Sequence, residues 1–167
     1  MTDTGMTKSE ASSPIPQREA VKLRTILVAV NLEASAAIDY ALELAKIPGT
    51  QFVLLHVIEV PRSERSLGAF ESEEHRAKLE FRREQALHHL DVVSQKFEPV
   101  GASCTPKVQI GVPDDEILSQ AEVFAPDLIV VGSTATGGFT GFLLGSTAER
   151  VVRHASCSVF VARREQT

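Results

Sequence analysis

The chain is poor in the features that mark several large protein classes. Its 167 residues include two cysteines, Cys104 and Cys157. Two cannot build the multi-bridge framework of a small secreted scaffold, so both read as reduced residues of the interior or of strands. Basic charge is not in excess: 17 Lys and Arg stand against 22 Asp and Glu, a net charge of −5. Nucleic-acid binders are usually basic, so no nucleic-acid partner is expected. No apolar run approaches the roughly 20 residues that cross a bilayer, so no membrane partner is expected either. The opening MTDTGMTKSEASSPIPQREA has no apolar segment and does not read as a secretory signal. The expected location is cytoplasmic.

Named chemical motifs are also missing. There is no G-x-x-x-x-G-K-[ST] and no G-x-G-x-x-G after the first strand. There is no G-x-S-x-G elbow. His and Cys do not fall at metal-ligand spacing. No metal site and no catalytic set is expected.

What is present is a regular alternation. RTILVAVN (24–31), FVLLHVIEV (52–60), DLIVVG (127–132) and SVFVA (158–162) are short, continuous, β-branched runs. Such runs fit strands covered on both faces of a parallel sheet. CTPKVQIG (104–111) alternates more and fits an edge. Helical spacing separates the strands. ASAAIDYALELAK (34–46) puts Ile38, Ala41, Leu42 and Ala45 on one face, with Ser35 as N-cap. The charged stretch 71–97 carries Leu79, Ala86, Leu90, Val93 and Phe97 as a stripe. Pro113 opens a third helix, with Asp114, Asp115 and Glu116 at its positive end. Residues 145–155 make a fourth. Strict alternation of this kind predicts a doubly wound α/β domain. Residues 1–22 are rich in Ser, Thr, Pro and charge and read as a flexible N-terminal tail, with the folded domain over 23–165.

In an open α/β sheet, ligands sit at the carboxyl ends of the strands where the strand order reverses. Two segments would meet there: AVNLEAS after the first strand, and the stretch GSTATGGFTGFLLGST (132–147) after the fourth. Gly132, Gly137, Gly138 and Gly141 allow close backbone approach. Gly145, Ser146 and Thr147 begin a helix, whose free N–H groups and dipole favour an anion. The same composition also fits a flexible connector with an ordinary cap. His56 reads as a core histidine, His88 and His89 as solvated, and Arg150 and Arg153 as surface-paired. Glu33 and Ser35 read as helix entry.

GSTATGGFTGFLLGSTAERVVRHASCSVFVARR resembles the C-terminal signature of the universal stress protein family. RTILVAVNLEASAAIDYALELA resembles that family's first strand and helix, FVLLHVIEV its second strand, and VQIGVPDDEIL its third strand and turn. The resemblance implies a five-stranded parallel sheet of order 3-2-1-4-5 with two helices on each face. It also implies a stress-response regulator that binds ATP or AMP, with or without Mg²⁺, and is not a dedicated enzyme, hydrolysing ATP slowly at most. The family's G-x2-G-x9-G-[ST] falls on Gly132, Ala135, Gly145 and Ser146, with Ala135 replacing the second glycine. Asn31 stands where the family often has Asp. The nucleotide would then meet Ala29, Val30, Asn31, Val57, Gly132, Ser133, Ala135, Gly145, Ser146 and Thr147, with the Gly111–Pro113 turn on one side. A second branch of the family regulates as dimers without a nucleotide. The resemblance implies a homodimer through the last strand, at Val159, Phe160 and Val161, and a regulatory protein partner of unknown identity. The related adenylating enzymes place S-G-G-x-D-S after strand one, where this chain reads NLEAS.

Overall fold

The computed structural model describes residues 22–32, 35–60, 72–133 and 144–163. Five strands form one sheet: β1 (Thr25–Ala29), β2 (Gln51–Glu59), β3 (Ser103–Gly111), β4 (Leu128–Gly132) and β5 (Ser158–Ala162). Their order is β3-β2-β1-β4-β5 and every pairing is parallel. Among the described residues four α-helices occur: α1 (Ala36–Leu44), α2 (Glu73–Ser94), α3 (Pro113–Phe124) and α4 (Ser146–His154).

The alternating faces of the strands explain why two helices lie on each side. Ile26, Val28, Phe52, Leu54, Ile58 and Val130 point one way and pack with Ala37 and Ala41 of α1 and Leu79, Ala86 and Leu90 of α2. Leu27, Val53, Leu55, Ile129 and Val131 point the other way, onto Ile117 and Ala121 of α3 and Ala148 and Val151 of α4. The middles of the central strands are therefore continuous apolar runs, because both faces are covered there.

Local signals account for most boundaries. Ser72 caps α2 by accepting from the His75 N–H at 3.2 Å. The stripe predicted to run to 97 leaves the α-helix at Ser94 and continues as a 3-10 segment, Gln95–Val100, that contains Pro99. Phe97 still reaches the core, its ring 5.0 Å from that of Phe52. Gly101 then adopts φ +74, where a Cβ would be strained, and turns the chain into β3. Ser35 occupies the N-cap of α1 by backbone geometry, but its side chain makes no capping bond. At the opposite end of the sheet, the Asp127 carboxylate accepts from the N–H groups of Arg24 (2.8 Å) and Thr25 (3.0 Å), tying β1 to the entry of β4. Those two bonds hold the Asp127 carboxyl below its usual range.

Both cysteines are half-buried and free. Burial pushes the Cys104 thiol up to about 12, which leaves it with almost no thiolate at neutral pH.

Candidate functional site

The site begins where the ladders end. β1 pairs with β4 as far as Ala29 and Val131, and with β2 as far as Ala29 and Leu55. Beyond those pairs the two central strands part. From β1 the chain continues to β2 on one side, while from β4 it continues to β5 on the other. A crevice opens between the two exits.

Both exits are held in place. The Val30 N–H donates to the Leu55 carbonyl at 2.9 Å, and the Ser133 N–H donates to the Ala162 carbonyl at 2.8 Å. The Val30 carbonyl has outrun the backbone ladder, and a side chain serves it instead. His56 Nδ1 lies 3.0 Å from that oxygen. A carbonyl only accepts, so Nδ1 carries the proton. Burial pulls the His56 pKa below its ordinary value, with Arg82 and His89 adding to the effect. His56 is therefore the neutral imidazole that donates from Nδ1.

A cavity of about 860 Å³ fills the crevice. Ala29, Val30, Asn31, Val57, Gly132, Ser133, Gly145, Ser146 and Thr147 all line it. The fold thus gathers into one cavity nine of the ten residues singled out from the sequence. The tenth, Ala135, lies outside the described residues, as do Glu33, Gly137, Gly138 and Gly141. Gly145 is the N-cap of α4 in extended conformation, and Ser146 and Thr147 form the first turn. The first N–H groups of a helix have no intrahelical acceptor, so this end of the cavity offers backbone donors and the positive end of a dipole. Val57, Ile117 and Leu144 supply an apolar wall on the same side. Pro113 lines the cavity, whereas Gly111 and Val112 of the predicted turn do not.

Two lining residues carried no signal toward a site in the sequence. His56 read as core, and it does bond inward, yet it also borders the cavity. Arg82 read as one charge among many on α2, and the docking of that helix brings it to the cavity rim. Arg150 is paired as expected, but with buried Asp114 and with Asp115 at 3.8 Å, which links α4 to the first turn of α3. Among the described residues, no group of His, Cys, Asp or Glu is arranged to hold a metal ion. None of the described helices is long and apolar enough to cross a membrane.

Comparison with known proteins fits this geometry. A universal stress protein of Methanocaldococcus jannaschii is 38% identical over 85 residues, covering 51% of this chain and 50% of its own length. This match and the next two curated ones span about half of each relative, at 50%, 46% and 52%. A second protein of the same archaeon has a solved structure that is 28% identical, with a TM-score of 0.69. That match covers 88% of this chain and 100% of the other. A universal stress protein of Arabidopsis thaliana, solved with AMP bound, shares the fold at 24% identity and a TM-score of 0.57, covering 84% and 92% of the two chains. The model of the universal stress protein family matches residues 22–163, so the chain belongs to that family.

Proposed function

We propose that this protein binds an adenine nucleotide, ATP or AMP, in the crevice between β1 and β4, and acts in the cytoplasm as a nucleotide-dependent regulator of a protein partner. The observation that carries this reading is a single one. Residues from β1, β2, β4 and the start of α4 line one cavity, and a helix N-terminus closes it. The base would pack among Ala29, Val30 and Val57, and Asn31 would accept from the nucleoside. The phosphates, with or without Mg²⁺, would lie on the N–H groups and hydroxyls of Gly145, Ser146 and Thr147. The AMP complex of the Arabidopsis relative supports the choice of ligand.

The same reading includes a homodimer. Among the described residues β5 pairs with β4 alone, which leaves its other edge open. Val159 and Val161 are half-buried and Phe160 is exposed along that strand. An apolar open edge invites pairing with a second copy.

A thermal melt of the purified protein with ATP, AMP and Mg²⁺ tests the binding. A ligand present at about 1,000 times its Kd stabilises by about 4 kcal/mol. Gly145→Val places a branched side chain at the phosphate end and should abolish the shift. A shift unchanged in Gly145→Val would refute the placement. A flat melt in the parent protein would leave the nucleotide-free branch of the family, with Ala135 and Asn31 as the reason.

A further inference from the structure

The cavity extends over both faces of the sheet. Gly145, Ser146, Thr147, Val57 and Ile117 border it on the α3/α4 side. On the other side it is bordered by Val30, His56 and Ile58 from the strands, Ser35 and Ala36 from α1, and Arg82 from α2. Apart from Val30, which also borders the base, the second lobe lies outside the nucleotide placement proposed above.

Its chemistry is cationic. Arg82 is exposed and has no hydrogen-bond or ion-pair partner among the described residues, whereas its neighbour Arg83 pairs with Glu80 at 3.5 Å. Arg82 is close enough to His56 to disfavour a second positive charge there. His56 commits Nδ1 to Val30, so Nε2 is the ring nitrogen left for a ligand. Glu59 is the one carboxylate among the described lining residues. Strand alternation sends it to the opposite face, with Val57, away from His56. A guanidinium with no partner among the described residues, beside an imidazole at the rim of a cavity, is a place for an anion. Arg presents a planar fork of donors that suits phosphate.

We infer that this second lobe takes an anionic group, so that the preferred occupant of the cavity is a nucleotide carrying a second phosphate on its ribose. One phosphate sits on the start of α4 and the other between Arg82 and His56. The inference rests on the nucleotide reading for the first phosphate, and on Arg82 alone for the second.

The test compares adenosine 5′-monophosphate with adenosine 3′,5′-bisphosphate by calorimetric titration of the full chain. The bisphosphate should bind about tenfold more tightly, the effect of one charge-assisted contact. Arg82→Gln should bring the two affinities together while leaving that for the monophosphate unchanged. Arg83→Gln, one residue away on the same helix, should leave the preference intact. Equal binding of both ligands by the parent protein would overturn the inference, as would a preference that survives Arg82→Gln. Gly145→Val separates the two readings. If it spares both ligands while Arg82→Gln still removes the preference, the second lobe stands and the phosphate placement at α4 falls. If the parent protein binds neither ligand, both fall.

Discussion

The guanidinium of Arg150, on α4, meets the carboxylate of Asp114 at the start of α3, and the Asp114 side chain is only 8% exposed. The two helices on one face of the sheet are thereby joined beside the cavity, because Pro113 and Ser146 both line it. Arg153 makes the contrasting pair on the same helix, with Glu149 at 2.8 Å and both side chains at least half exposed or nearly so. Burial decides which pair matters. Arg150→Met removes the counter-charge of a buried carboxylate and should cost about 1–3 kcal/mol. Arg153→Met should cost no more than about 0.5 kcal/mol, as exposed i,i+4 pairs do. Urea unfolding of the two variants checks this. Equal losses would show that the Asp114 contact is not special.

Gly111 ends β3 beside the turn into α3. A Cβ built there would run into the Glu116 side chain, with Cγ at 2.8 Å and Cδ at 2.9 Å. Gly111→Ala should therefore cost about 1–2 kcal/mol, as overpacking does. The cost should fall below about 0.5 kcal/mol in a Glu116→Ala background, because the obstacle is one side chain. A double-mutant cycle measured by denaturant unfolding gives the coupling. Additive losses would mean that the backbone, not Glu116, requires glycine.

His56 makes stability depend on pH. Its folded pKa lies below the ordinary value of 6.5, mainly because burial disfavours the cation. The unfolded chain thus binds the proton more readily than the folded one. Stability is complete above the unfolded pKa and falls as pH drops through that value toward the folded one. Denaturant midpoints between pH 7.5 and 5 should decline in the parent protein and less steeply in His56→Gln. Parallel profiles would remove His56 as the cause.

Phe160 stacks edge-on against Tyr40, ring centres 4.9 Å apart, and both rings remain exposed. They form an apolar surface that continues the open edge of β5. A charge placed there should disfavour pairing between copies without touching the core. Phe160→Glu should sediment as a monomer under conditions where the parent protein is a dimer. A parent protein that is already monomeric, or a variant that still pairs, would refute the proposed interface.

Much of the fold was readable along the chain. The runs ILVA, LIVV and VFVA are unbroken by polar residues, and a sheet covered on both faces is what such runs need. Pro113 with three acidic residues after it marks a helix start without any tertiary information. The end of α2 was less legible. Phe97 keeps the helical spacing of the stripe, yet Pro99 and Gly101 draw the segment into a tighter 3-10 turn. Side-chain periodicity does not distinguish the two.

The sequence by itself determined the alternation of strands and helices, the apolar face of each helix, and the glycine and hydroxyl residues that flank the crevice. These depend on local spacing and on burial, which recur every two or 3.6 residues. Tertiary structure alone decided the rest. The docking of α2 brings Arg82 to the rim beside His56. The place where β1 outruns its ladder leaves the Val30 carbonyl for His56 to serve. The approach of α4 to α3 pairs Arg150 with Asp114. Each of these contacts joins residues 26 or more positions apart, and no local period carries information over that distance.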